Sequence, residues 1–477
     1  MAMNILFCTS EAAPLIKTGG LADVSGALPP ALHDIGVDCR VLLPGYPKVL
    51  QSAGSLMPVC ELHGLPGNPA SRLLAGLLPD GATPLYVLDC PAAYDRPGGP
   101  YQDAAGHDHA DNAWRFAVFS KAAALLCTPD SPLPWRPHLL HCNDWQSGLA
   151  PAYLHFMGRP VPSLMTVHNL AYQGIYPPEI LSTLDLPAES FSISGVEYYG
   201  NLSFLKAGLY YAARLSTVSP TYAEEIQQEP LGMGLQGLLT SRRADLSGIL
   251  NGIDTLDWHP GIDHHIPCAY TARASADKRR CKLRLQERMG LEARGNAPLF
   301  GLIARMTHQK GLDLVLDVAD GIVHRGGQLV MLGTGDKTLE AAVQATAARH
   351  PGQAACFIGY DEALSHQIEA GSDIFLMPSR FEPCGLNQMY SLRYGAVPIV
   401  HATGGLKDTV HEGETGFVFD QPDAHALWLA VERALSRYAD KPAWKRLMQN
   451  GMKQDFSWTH SANTYAALYR DMLGQTA

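Results

Sequence analysis

The chain has 477 residues, 46% of them hydrophobic and 17% charged, a composition for a globular protein with more than one core. Its 36 Lys and Arg against 46 Asp and Glu give a formal charge of −10, which argues against a nucleic-acid binder working through a broad basic face. The ten cysteines are scattered without a C-x-x-C, as expected of free thiols, and no apolar run reaches membrane-span length; even Phe116–Cys127 is broken by Lys121.

The first residues, MAMNILFCTSEAAP, lack a basic segment and carry too short an apolar run for a signal peptide. They read as a first strand, Asn4–Cys8, and the expected location is the cytoplasm. Further strands are predicted at Cys39–Leu43, Leu85–Leu88, Leu139–Cys142, Ser163–Val167 and Leu215–Val218, with helices at Leu21–Ile35, Asp111–Cys127, Gly148–Phe156 and Leu202–Ala212. LNGIDTLDWHP, from Leu250, reads as strand, turn and linker, and a polar helix is expected over Ser275–Met289. A second series restarts at Pro298: strands at Leu299–Ile303, Gln328–Leu332, Ala355–Ile358, Ile374–Met377 and Val397–Val400, and helices at Leu312–His324 and Lys337–His350. Strands separated by helices imply parallel sheets covered on both faces. The expectation is two doubly wound α/β domains, 1–253 and 254–457, with a last helix, 458–477, crossing back to the first. Ligands are expected at the carboxyl ends of the strands.

Chemistry concentrates at those strand ends. Thr-Gly-Gly-Leu-x-Asp occurs at Thr18–Asp23 and again at Thr403–Asp408, each copy after an apolar run and before a helix. Paired glycines let a backbone approach a ligand, and a helix start offers free N–H groups to an anion. Lys17, just ahead of the first pair, suits a diphosphate, although a solvated loop lysine is the ordinary alternative. In ARMTHQKGLDL, Arg305 lies beyond a strand and Lys310 at a helix start, where a cation opposes the macrodipole unless an anion is near. The pair reads as a diphosphate clamp, against surface charges. In PSRFEPCGLNQMYSLRYG, Glu382 lies in a turn before a helix start at Gly385 and is better suited to sugar hydroxyls than to phosphate. Cys384 there is either reactive or simply buried. Asp144 in HCNDW and His168 in TVHNLAYQG each follow a strand and point to a polar ligand, or are structural.

Other patterns fail their context. LGMGLQG (Leu231–Gly237) fits G-x-G-x-x-G but follows a helical stretch and Pro230 rather than a strand, which disfavours a dinucleotide oxidoreductase. GHDHAD (Gly106–Asp111) reads as a solvated loop. No D-x-D is present for a metal–diphosphate site, and no P-loop, H-E-x-x-H or G-x-S-x-G occurs.

Together with YDRPGGPY (Tyr94–Tyr101), SFLKAGLYYA (Ser203–Ala212), LNGID and DFSW (Asp455–Trp458), these strings closely resemble bacterial glycogen synthase and plant starch synthase, retaining glucosyltransferases that elongate α-1,4-glucan. The resemblance runs nearly end to end. It implies a GT-B fold, two Rossmann-like domains facing across a deep cleft, with ADP-glucose as donor, glycogen as acceptor, no cofactor, no metal, and no nucleic-acid or membrane partner. The implied catalytic set is Glu382, Arg305, Lys310, His168 and Asp144. The implied substrate-binding set is Lys17, Gly19, Gly20, Asp23, Tyr101, Asn169, Asn251, Cys384, Gly385, Leu386, Thr403, Gly404 and Gly405. Tyr101 would lie near the acceptor, and Asp144, His168 and Asn251 around the transferred glucose. Departures are Asn387, a position that could touch the nucleotide, and Gln146, where relatives often carry His. Tyr390 stands where neighbouring transferase branches carry a second Glu.

A double displacement needs two carboxylates flanking the anomeric carbon, and Glu382 is the one obvious candidate. Same-face attack is therefore expected: the acceptor 4-OH approaches as ADP leaves, and the departing phosphate oxygen takes its proton. Domain closure would exclude water. The competing expectations are a UDP- or GDP-sugar transferase with a small acceptor and a binding protein without turnover.

Overall fold

The computed structural model describes residues 3–475. The chain divides into two compact units, one formed by residues up to Gly252 together with those from Trp458 on, the other by Ile253–Ser457.

In the first unit the chain lays down β1 (Asn4–Cys8), β2 (Asp38–Pro44), β3 (Met57–Glu61), β4 (Arg72–Leu77), β5 (Pro84–Asp89), β6 (Leu139–Asn143) and β7 (Ser163–Val167). Three short strands, β8 (Ile175–Tyr176), β9 (Glu197–Tyr198) and β10 (Asn201–Ser203), pair antiparallel in a small sheet of their own. β11 (Arg214–Thr217) and β12 (Leu246–Gly248) complete the main sheet, in the order β12-β11-β7-β6-β1-β2-β5-β4-β3. All neighbours run parallel except β3–β4 and β4–β5. Every residue of β6 and β7 is buried, including the polar His141, Asn143, Ser163 and Thr166, so neither strand shows the apolar–polar alternation of a half-exposed strand. The strand order reverses between β1 and β6, so the loops after these two strands flank the crevice where such sheets bind ligands.

The last helix, Trp458–Met472, packs on the helix Gly20–Asp34 of this unit. Tyr469 Oη lies 2.7 Å from Nδ1 of the fully buried His141, and Ser461 Oγ donates to Leu250 O at 2.6 Å. A Cβ on Gly252 would stand 2.7 Å from the Trp458 backbone, so the chain can meet this helix only through glycine.

The second unit holds β13 (Leu299–Ile303), β14 (Gln328–Gly333), β15 (Ala354–Ile358), β16 (Ile374–Met377), β17 (Val397–His401) and β18 (Phe417–Phe419), all parallel, in the order β15-β14-β13-β16-β17-β18. Counted within the unit this is 3-2-1-4-5-6, the doubly wound dinucleotide-fold order with its switch point between β13 and β16. Successive residues of a strand feed opposite faces: Phe300 and Met331 join Phe417 and Trp444 on one side, while Leu299 and Val330 join Phe375 and Leu392 on the other.

Several elements differ from the sequence reading. The strand expected at Leu250 lies earlier, as β12, and Leu250–Asn251 is loop. Leu202 belongs to β10, and its helix begins at Phe204, where Ser203 Oγ caps the Lys206 N–H. The polar helix starts at Lys278 rather than Ser275.

Candidate active site

In the second unit, the loops after β13 and β16 carry the predicted cations and carboxylate. Arg305 follows β13, is exposed, and makes no side-chain hydrogen bond or ion pair among the described residues. Lys310 closes the turn His308–Lys310 ahead of the helix Leu312–His324, and its Nζ donates to Glu382 Oε2 at 2.6 Å. Glu382 is 6% exposed and also accepts from Ser379 Oγ at 2.9 Å. The anion that a cation at this helix start requires is thus supplied by the protein itself. Arg380 holds the loop from the other side, with a two-point bond to Asp313 and a third to His308 O.

Behind Glu382, Gly385 takes φ +73°, and a Cβ there would come within 2.5 Å of Gln388 Oε1. Gln388 is fully buried and donates to Cys384 O and Gly385 O, both at 3.0 Å, fixing the turn. Cys384 is buried (4% exposed), and Leu386 caps the helix Asn387–Tyr394 without a side-chain bond. Asn387 Nδ2 donates to Ile303 O at 2.8 Å, so this side chain ties the helix start to β13. Tyr390 stacks on Trp258 with ring centroids 3.8 Å apart.

The two Thr-Gly-Gly-Leu copies do different physical work. A Cβ on Gly404 would meet Glu382 O at 1.9 Å, and one on Gly405 would meet Cys384 O at 2.2 Å. The second pair, with the buried Thr403 before it, therefore exists to let two backbones touch behind Glu382. Gly19 is extended (φ −155°), and neither Gly19 nor Gly20 has anything within 4 Å of a built Cβ, so the first pair faces open space.

In the first unit the loop after β1 is organised by Glu11, which the sequence reading did not single out. This carboxylate, 3% exposed, accepts from the Thr18 and Gly19 N–H groups, Thr18 Oγ1 and, at 2.5 Å, Tyr101 Oη. Part of the expected anion nest is therefore filled internally. Gly20 and Leu21, in the first helical turn, have N–H groups without intrahelical partners. Lys17 Nζ pairs with Asp23 at 2.7 Å, both side chains partly exposed. The Tyr101 hydroxyl is shared between Glu11 and Ser10 Oγ, and its ring packs on Phe116 and Trp145. The loop before Tyr101 hangs on the fully buried Arg115, which donates to Ala93 O and Pro100 O.

Asp144 follows β6 directly with φ 55° and ψ −179°, a backbone region that costs a non-glycine residue roughly 1–3 kcal/mol. Its Oδ1 accepts the His168 N–H at 2.7 Å, and the Asn169 N–H also bonds the carboxylate. Burial pushes the Asp144 carboxyl up to about 7; the charge on Glu11 adds to this, and the two N–H groups work against it. His168 Nε2 lies 2.9 Å from Asn143 Oδ1, whose amide is oriented by donating to Cys8 O. An amide oxygen only accepts, so the proton sits on Nε2 and Nδ1 keeps its lone pair. Burial holds this imidazole neutral, with its pKa lowered to about 3. Asn169 Oδ1 accepts the Ala171 N–H, and Asn251, 8% exposed, has an Oδ1 with no partner among the described residues. Gln146 is buried, and its Oε1 is likewise unpartnered.

Residues 4–241 match the family model described as starch synthase catalytic domain, and residues 284–454 match that of glycosyl transferases group 1. The chain is 54% identical to a glycogen synthase from Dechloromonas aromatica, covering 100% of both proteins. It is 52% identical to one from Nitrosomonas europaea, covering 98% of this chain and 97% of that protein. Among solved structures it is similar to the catalytic domain of starch synthase IV from Arabidopsis thaliana bound to ADP and acarbose: TM-score 0.86 and 29% identity, covering 99% of this chain and 100% of that one. A sucrose-phosphate synthase from Thermosynechococcus elongatus, at 18% identity and TM-score 0.61 over 99% of this chain and 100% of that one, shares the fold. With more than half of its residues identical over full length, and with two α/β units built on largely parallel sheets, the chain belongs to the bacterial glycogen synthase family of GT-B glycosyltransferases.

Proposed function

We propose that this glycosyltransferase moves glucose from ADP-glucose to the non-reducing end of an α-1,4-glucan, with retention of configuration and release of ADP. The reaction takes place in the cytoplasm and uses no metal at the reacting centre. The observation that carries the reading is the switch point of the second unit, where an unpartnered Arg305 and the Lys310–Glu382 pair lie on the loops flanking β13 and β16. The starch synthase relative bound to ADP supports adenosine diphosphate as the leaving group.

In this reading Arg305 and Lys310 take up the charge that develops on the departing diphosphate, the preorganised stabilisation that dominates such reactions. Glu382 keeps Oε2 on Lys310 and Ser379 and turns Oε1 to sugar hydroxyls. In the first unit, the neutral His168 and the orphaned Asn251 Oδ1 offer an acceptor nitrogen and an acceptor oxygen to glucose hydroxyls. The exposed Lys17–Asp23 pair is worth little by itself, so Lys17 is readily given up to an anion at the open Gly19–Gly20 loop. Asp144 is anchored by backbone N–H groups and Glu382 by a lysine, which fits same-face attack better than a covalent intermediate.

The test is incorporation of labelled glucose into glycogen from ADP-glucose and from UDP-glucose without added metal, with the new linkage read by an α-1,4-specific glucosidase. Faster incorporation from ADP-glucose into α-1,4 linkages is expected. No incorporation, or a preference for UDP-glucose, would overturn the proposal.

A further inference from the structure

We propose that Asp257, Glu362 and His366 form a binding site for one divalent transition-metal ion of the zinc class, apart from the residues that take the nucleotide sugar. One ring nitrogen of His366 and one carboxylate oxygen from each of Asp257 and Glu362 lie within 4.8 Å of one another. Glu362 and His366 are four apart on the helix Glu362–Gly371 and therefore share one face. Asp257 comes from the segment that follows Ile253.

The histidine sets this cluster apart from an ordinary acidic patch. His366 is fully buried; its Nδ1 lies 2.8 Å from Asp263 Oδ2, and its Nε2 has no hydrogen-bond partner among the described residues. A carboxylate on Nδ1 keeps the ring proton there and leaves the Nε2 lone pair outward, the arrangement that orients metal-bound histidines. The surroundings hold the ring still. Trp258 stacks on it at 3.8 Å, Tyr394 Oη bonds Asp263 at 2.6 Å, and Arg393 Nε holds Trp258 O at 2.6 Å.

One imidazole with two carboxylates suits zinc, cobalt or nickel, whereas magnesium and calcium prefer an all-oxygen set. The Tyr360 hydroxyl engages Glu362 Oε2 and leaves Oε1 for the ion, and the Asp257 carboxylate has no donor among the described residues. Both acidic side chains are exposed. They can rotate to the donor separation of about 3.4 Å that tetrahedral bonds of ~2.1 Å require, with water in the fourth position.

The experiment uses the untagged full-length protein, stripped with a chelator and titrated with Co²⁺, whose visible absorption reports coordination geometry, followed by displacement with Zn²⁺. The control is the double variant Asp257→Asn/Glu362→Gln, whose exposed positions leave the core intact; circular dichroism and the melting temperature verify this. The expected result is one tightly bound equivalent with a tetrahedral spectrum, displaced by Zn²⁺, and affinity weaker by about tenfold to a hundredfold or more in the double variant. No saturable binding, or equal binding by the double variant, which would place the ion on other histidines or cysteines, overturns the proposal.

Discussion

Replacing Asp144 with Asn should make the first unit more stable above neutral pH and leave it unchanged in acid. The carboxyl is raised from 3.8 to about 7, chiefly by burial. Between those values the folded state holds a proton that the unfolded chain has released, so the stability linked to this group is fully present below pH 3.8 and is lost as pH rises to about 7. About three units at ~1.4 kcal/mol each put that loss at about 4 kcal/mol. Asp144→Asn keeps an acceptor oxygen for the His168 N–H, bears the same backbone strain as Asp, and carries no charge at any pH. For a unit of this size each kcal/mol shifts Tm by roughly 2–4 °C, so calorimetry should find a rise of roughly 8–16 °C at pH ~8 and almost none near pH ~4. Activity should fall, since the charge beside His168 is lost. A variant no more stable than wild type at pH ~8, or a difference that does not change with pH, would refute the reasoning.

Arg305→Ala should lower kcat by about a hundredfold with Tm unchanged, because the side chain is exposed and unpartnered. Lys310→Ala should lose both activity and stability, since it strands the buried Glu382; equal melting temperatures for the two variants would contradict the ion pair. Glu382→Gln should retain some turnover, and native protein incubated with a slow donor should show no glucosyl adduct; mass spectrometry finding one on Glu382 would overturn same-face attack. Gly404→Ala should fail to fold normally, with its Cβ 1.9 Å from Glu382 O, whereas Gly19→Ala should fold with wild-type Tm and bind donor more weakly, as thermal scans and titration can show.

Much of the sheet structure was legible because buried parallel strands are written as unbroken apolar runs bounded by turns. The strands that escaped are those without that signature: β3 is largely exposed, β4 is exposed at both ends, β8 and β9 are two residues each, β12 and β18 are three residues each, and β10 merges into the helix after it. Asp144, His168 and Glu382 stand out as polar residues at the ends of apolar strands. Glu11 carries the same signal three residues after β1, yet its work depends on Thr18, Gly19 and Tyr101, which only the fold brings to it. Gln388 and Asn143 act by bonding carbonyl groups and neighbouring side chains, a role that residue type alone does not announce. The repeated glycine string shows the limit most directly: the same letters leave one backbone open and press the other against Glu382.

The helix Trp458–Met472 also sets an order of assembly. During synthesis domains usually complete in the order in which they emerge. Here Ile253–Ser457 is a continuous stretch and has all its strands before the chain is finished, while the unit begun at the amino terminus waits for Tyr469 to reach His141. Until then a buried imidazole nitrogen lacks its partner, a deficit on the order of 1–3 kcal/mol, and the helix Gly20–Asp34 lacks its cover. The half of the protein made first is therefore finished last, and a chain stopped a few turns early would leave His141 unpartnered and the helix Gly20–Asp34 uncovered rather than shed a dispensable tail.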